Sequence, residues 1–338
     1  MKTRTASRLL YVAFGLLAIR AIAAQAPAKT VDVLDPALEA ILSPDAALKT
    51  VVPGTGFFEG PTWVAGRPGH LIFSDIPHNV INKLGPDGKA SIIVDKIFIG
   101  DSDTADVRLL DTGVNGMQKL TGADGTAVDN QGRITYCEYG GGRVVRVEKD
   151  GSRTVLASQF EGKRFNSPND LVFKSDGTLY FTDSGSRETK QRSNLVPFTG
   201  VYRIKNGQLQ VLSKDFKPNG IAFSPDEKYL YITQAKRKLV RFDVQPDGTL
   251  ANGHMFFDLD ADPRPGSPDG LKTDKDGNVY TSGPGGVWII SPSAKHIGTL
   301  IAPVRSFINF TFGGDDGKTM YLTSPEALYS LPFKTSRR

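Results

Sequence analysis

The chain has 338 residues, 39% of them apolar, with 36 glycines and 21 prolines. That is ordinary for a strand-rich globular protein with many tight turns. The formal charge is +5, and setting aside the four basic residues of 1–25, a stretch without acids, leaves +1. No basic stripe with interleaved aromatics remains, so nucleic acid is not an expected partner.

The N-terminus reads as a targeting segment. Lys2, Arg4 and Arg8 precede the apolar run Leu9 to Ile19, and small residues follow at Ala21, Ala23, Ala24 and Ala26. This pattern predicts a secretory signal over 1–25 and a periplasmic or secreted protein with no stable membrane association after cleavage. Arg20 interrupts the end of the apolar run, and the competing reading is an uncleaved anchor. No other stretch is long and apolar enough to span a bilayer. Cys137 is the single cysteine, so no intrachain disulfide can form, and core filling is its expected role. Residues 26–46 read as a leader, with a short helix around Pro36 to Leu42. Ala47 to Val52 reads as a strand.

A repeat governs the rest. Asn169-Asp170-Leu171-Val172-Phe173, Asn219-Gly220-Ile221-Ala222-Phe223 and Asp269-Gly270-Leu271-Lys272-Thr273 each open an alternating strand, and their anchors are 50 residues apart. Asp124 and Asn309 open similar units, and Glu59 opens the first. Gly132, Gly177, Gly277 and Gly317 each follow an anchor by eight positions, in a polar turn. In the Asn219 unit that turn is Asp226-Glu227-Lys228. A strand-rich repeat near 50 residues predicts an all-β chain, a six-bladed β-propeller over 47–334. The Ala47–Val52 strand is expected to close the last blade beside the C-terminal strands, which removes exposed edges.

Two insertions interrupt the units. Residues 95–120 widen the first step to 65 residues and are a candidate flap over one face. Within them, Asp101 to Asp106 only superficially resembles a calcium loop, since it lacks the glycine and the terminal glutamate. Gly185 to Pro197 is a candidate lid. The tail Thr335–Arg338 is expected to fray.

Each anchor alone could be a turn residue. In a propeller, however, the first strand of each blade lines the central channel. Glu59, Asp124, Asn169, Asn219, Asp269 and Asn309 would then form one ring of oxygen-bearing side chains. Such a ring suits a hard cation, Ca²⁺ first, with about six to eight oxygen ligands. His70, His78, His254 and His296 share no ligand spacing, so a zinc site is not expected. His78, just after blade one's second strand, is the one nearest a functional position. There is no Gly-x-Ser-x-Gly elbow, Walker loop or Gly-x-Gly-x-x-Gly fingerprint.

These residues resemble the gluconolactonase/SMP-30/regucalcin-like family of calcium-dependent six-bladed propellers, whose relatives include diisopropyl fluorophosphatase. The resemblance runs from about Gly56 to Leu331. It is carried by Glu59-Gly60-Pro61-Thr62-Trp63, Asn166-Ser167-Pro168-Asn169-Asp170, Pro218-Asn219-Gly220 and Ser267-Pro268-Asp269-Gly270. It implies that Glu59, Asn169, Asn219 and Asp269 hold the metal, where spacing alone could not choose four from six. Asp124 and Asn309 would line the channel or support the ligands from behind. Asp170 would orient its neighbours from behind, since alternation turns it away from the ring. The resemblance further implies hydrolysis of a sugar lactone, with Ca²⁺ as cofactor, Mg²⁺, Mn²⁺ or Zn²⁺ as substitutes in vitro, and Asp269 as base or nucleophile. Three motifs depart from the family's pattern. Glu138-Tyr139-Gly140 stands for Glu-His-Gly, Asp183-Ser184-Gly185-Ser186 for Asp-Pro and a Tyr-Gly, and Ser167 for a substrate-contacting arginine. Two alternatives therefore stay open: a metal-dependent aryl-ester or phosphotriester hydrolase, and a non-catalytic binding propeller stabilised by calcium.

Overall fold

The computed structural model describes residues 29–54, 56–100, 108–185, 194–214 and 216–338. The 1–25 segment, the Asp101–Asp106 stretch and most of the Gly185–Pro197 loop lie outside them.

Six antiparallel sheets form the blades. From the innermost strand outward, blade 1 is Phe58–Val64, His70–Asp75, Val80–Leu84 and Ala90–Val94. Blade 2 is Ala123–Val128, Ile134–Glu138, Arg143–Val147 and Arg153–Ala157. Blade 3 is Pro168–Phe173, Leu179–Asp183, Gly200–Lys205 and Gln208–Lys214. Blade 4 is Pro218–Phe223, Tyr229–Gln234, Lys238–Val244 and Leu250–Asp258. Blade 5 holds Leu271–Thr273, Val279–Gly283, Gly286–Ile290 and His296–Ile301. Blade 6 holds Phe310–Gly313, Thr319–Thr323 and Ala327–Pro332. Each innermost strand touches those of both neighbouring blades, and blade 6 touches blade 1, so the ring is closed.

Closure follows the expected route. Lys49–Pro53 pairs antiparallel with Ala327–Pro332, placing an N-terminal strand on the outer edge of blade 6. The leader does more than the sequence implies. Val31–Val33 pairs with His296–Ile301 and gives blade 5 a fifth strand. Pro36–Ala40 is a 3₁₀ turn, capped by the Asp35 carboxylate accepting from the Ala37 N–H at 2.8 Å. Its Leu38, with Leu42, is buried against blades 5 and 6.

The C-terminal tail is a correction. Thr335–Arg338 does not fray. The Arg337 side chain is 2% exposed and donates to Asp274 Oδ2 at 3.0 Å and Asp276 Oδ2 at 2.8 Å. A buried guanidinium needs such partners, and they fasten the tail across blade 5. The insertion after blade 1 is more ordered than its composition implies, with Arg108–Asp111 and Met117–Leu120 forming a hairpin.

Candidate functional site

The anchors sit at the starts of the innermost strands, where the ladder is irregular. β-bulges fall between Glu59 and Thr62, Pro168 and Leu171, and Pro218 and Ile221. A bulge breaks the in–out alternation of a strand. This corrects the expectation for Asp170. It is not turned away: it is buried, and its charge acts on Glu59.

Glu59, Asp124, Asp170 and Asn309 are buried, while Asn169, Asn219 and Asp269 are half-buried. Asn309 Nδ2 donates to Glu59 Oε2 at 3.0 Å, and Asn169 Nδ2 donates to Asp124 Oδ2 at 2.9 Å. Burial pushes the Glu59 carboxyl well above the usual carboxylate range, and the neighbouring Asp124, Asp269 and Asp170 charges push it further. Four acids from blades 1, 2, 3 and 5 thus meet in one channel. The Asn219 strand lies between those of Asn169 and Asp269, and its backbone carbonyl accepts from Thr182 Oγ1 at 2.7 Å. Among the described residues, no three His, Cys, Asp or Glu side chains cluster closely enough to hold a metal alone. A cation here would need the amides as well.

A set of hydroxyls positions the anchors, and the sequence reading missed it. Thr182 Oγ1 accepts from the Asp170 N–H at 3.1 Å, and Ser282 Oγ accepts from the Asp269 N–H at 2.8 Å. Thr323 Oγ1 accepts from the Asn309 N–H at 3.1 Å, Thr233 Oγ1 donates to the Asp269 carbonyl at 2.8 Å, and Ser74 Oγ to the Asp124 carbonyl at 2.9 Å. These residues stand near the ends of the second strands, where Phe-Ser-Asp, Phe-Thr-Asp, Ile-Thr-Gln, Thr-Ser-Gly and Leu-Thr-Ser recur. Blade 2 has Tyr136-Cys137-Glu138 there. Cys137 is fully buried in the core, and burial followed by the nearby acids holds its thiol well above its ordinary value. A protonated thiol is not a nucleophile, in agreement with a packing role.

Above the ring lies a cavity of about 420 Å³ with Asp269 in its wall. Phe57, Arg305 and Ser306 are its accessible lining, and the buried Thr112, Ser267 and Phe307 back the wall. Thr112 comes from the insertion hairpin, which therefore does border one face of the channel. His78 is not in that wall. It is half-exposed, with Nδ1 2.9 Å from Asp75 Oδ1.

Below the ring, the residues three past each anchor line a second cavity of about 450 Å³: Thr62, Ala127, Val172, Ala222, Lys272 and Phe312. Lys272 is the charged member. Its Nζ donates to Asn309 Oδ1 at 3.2 Å and lies 3.9 Å from Asp170 Oδ2. The sequence reading passed it over, although comparing the repeats at that register would have singled it out.

Residues 57–326 match the SMP-30/gluconolactonase/LRE-like region. A gluconolactonase from Zymomonas mobilis is 30% identical over 317 residues, covering 89% of this chain and 85% of its own. A solved gluconolactonase from Xanthomonas campestris superposes with a TM-score of 0.75 at 28% identity, covering 90% of this chain and 94% of that one. A calcium-binding regucalcin from Agrobacterium tumefaciens, at 18% identity, shares the fold with a TM-score of 0.66 over 87% of this chain and 98% of its own. With its closed ring, its Glu59, Asn169, Asn219 and Asp269 register and this extent of similarity, the chain belongs to the SMP-30/gluconolactonase/LRE-like family.

Proposed function

We propose that the chain is a divalent-cation-dependent hydrolase that opens a sugar lactone. In this reading Glu59, Asn169, Asn219 and Asp269 hold the cation, with Ca²⁺ as first choice, and the protein works outside the cytoplasm after losing residues 1–25. The lactonase class is supported by the relatives named gluconolactonase at 30% and 28% identity. The observation that carries the reading is the convergence of four buried or half-buried carboxylates beside a cavity fit for a polyol.

The residues fit a hard cation. The donors at the ring are carboxylate and amide oxygens, without thiol or imidazole. Asp170 Oδ2 is buried without a hydrogen bond, and after burial the Asp124, Asp269 and Asp170 charges raise the Glu59 carboxyl, so a positive charge among these groups is favoured. Two carboxylates among the four proposed ligands neutralise a dication. Asn169, which spends its Nδ2 on Asp124, keeps an amide oxygen to offer.

When bound, the cation supplies Lewis-acid polarisation of the lactone carbonyl and stabilisation of the oxyanion. Asp269 accepts a proton from the attacking water as the new C–O bond forms. The ring C–O bond then breaks, and the proton passes to the departing alkoxide. The partly exposed Phe57 offers apolar contact to the sugar ring, while Arg305 and Ser306, also accessible in the cavity wall, bond its hydroxyls.

The test is proton release from glucono-1,5-lactone, corrected for spontaneous opening, before and after chelation and with Ca²⁺, Mg²⁺, Mn²⁺ and Zn²⁺ restored. Asp269→Asn is expected to lose turnover by roughly 100-fold or more while remaining folded. Near wild-type turnover in that variant, with metal still bound, would refute the base. No turnover in metal-containing wild type moves the reading to aryl esters or phosphotriesters, and then to a binding propeller.

A further inference from the structure

We propose that Lys272 is an internal counter-ion of the acidic ring, one that competes with the dication for the channel's negative charge and so keeps that dication exchangeable. This rests on the proposed cation site.

Lys272 is the one charged residue at its register, among Thr62, Ala127, Val172, Ala222 and Phe312. Its side chain is 28% exposed, so it rises from the water of the lower cavity into the floor of the ring. The ammonium is held by the Leu271 carbonyl at 3.0 Å and Asn309 Oδ1 at 3.2 Å. It stands 3.9 Å from Asp170 Oδ2, the ring's otherwise unpartnered carboxylate oxygen. Asn309 carries the contact onward, donating to Glu59 Oε2 at 3.0 Å. The amide orientation does not depend on Lys272 alone, because the Phe310 N–H also donates to Asn309 Oδ1, at 2.8 Å. Removing the ammonium therefore removes charge more than it removes shape.

The charges decide the sign. The charges of Asp124, Asp170 and Asp269 all act on Glu59 in the channel, and Lys272 meets the group from below through Asp170. Glu227 and Arg338 also line that lower cavity. Without a dication, Lys272 offsets part of the mutual repulsion. A dication held by the ring would meet the ammonium as a like charge in the same channel. One group thus stabilises the metal-free channel and opposes the metal-bound one. Neutralising it is expected to tighten cation binding about five- to tenfold, the order of one charge interaction in a partly hydrated site.

The experiment compares wild type, Lys272→Met and Lys272→Arg in full-length mature protein. Met keeps an unbranched side chain of similar reach, and Arg keeps the charge. Thermal midpoints are taken in EDTA and in Ca²⁺, and Ca²⁺ affinity is measured by calorimetry. Lys272→Met is expected to melt several degrees lower than wild type in EDTA, to match it in Ca²⁺, and to bind Ca²⁺ about five- to tenfold more tightly. Lys272→Arg is expected to stay near wild type. If wild type binds Ca²⁺ and Lys272→Met binds it no more tightly, or melts with wild type in EDTA, the counter-ion proposal falls and the cation site stands. If wild type takes up no dication, the cation site falls and the competition falls with it.

Discussion

Glu59 occupies a place where a carboxylate is costly, and its protonation reports on the whole ring. Burial and the Asp124, Asp269 and Asp170 charges raise its carboxyl well above the ordinary 4.5. The folded, metal-free protein therefore binds a proton more readily there than the unfolded chain does. That contribution to stability is fully present below the ordinary value and is lost as pH rises through the raised one. A dication competes with the same proton, so its affinity should fall as pH is lowered through that range. In EDTA, the melting temperature of wild type should decline from pH 5 to pH 8 relative to Glu59→Gln, and Ca²⁺ should oppose that decline by stabilising wild type more than the variant, which lacks one ligand carboxylate. Parallel pH profiles for the two proteins in EDTA would show that Glu59 titrates normally.

Five of the blades reuse one turn, and it explains the recurring glycine. The residue eight past the anchor has a positive φ in each: 77° at Gly132, 83° at Gly177, 55° at Glu227, 83° at Gly277 and 68° at Gly317. Glycine adopts this conformation at no steric cost. Glu227 adopts it as well, held by bonds from the Ser175 N–H at 2.6 Å and Ser175 Oγ at 2.7 Å, and by Lys174 at 2.9 Å. A Cβ built on Gly177 meets nothing within 4 Å, so Gly177→Ala isolates the backbone cost. It should lower unfolding free energy by about 1 kcal/mol in urea titration. An unchanged midpoint would mean that the turn relaxes into another conformation.

At the scale of the molecule, the described segments flanking the ring all pack back onto it. Lys49–Pro53 completes blade 6 and Val31–Val33 widens blade 5. Arg337 locks the tail against Asp274, which also accepts from Tyr280 Oη at 3.0 Å and Asn278 Nδ2 at 2.9 Å. Arg337→Ala strands a buried carboxylate, which should cost about 3–5 kcal/mol. Urea unfolding should show this as a lower midpoint with the same slope. A loss below about 1 kcal/mol would place the tail outside the cooperative unit.

The repeat by itself determined the fold, because strand alternation, turn residues and anchor spacing are local properties that recur from unit to unit. It also determined which polar residues share a register, and the motifs around Glu59, Asn169, Asn219 and Asp269 carried the family. Local rules could not reach what depends on two segments meeting. The bulges beside Glu59, Asp170 and Asn219 fall where the inner strands of neighbouring blades meet. The hydroxyls of Ser74, Thr182, Thr233, Ser282 and Thr323 matter because they bond anchor backbones in their own and neighbouring blades. Lys272 looked like any strand lysine until ring closure set it beside Asp170 and Asn309, and Arg337 looked like a loose end until Asp274 was found buried beneath it. In each case the energy lies in a charge or polar group removed from water, and only the tertiary structure decides which groups those are.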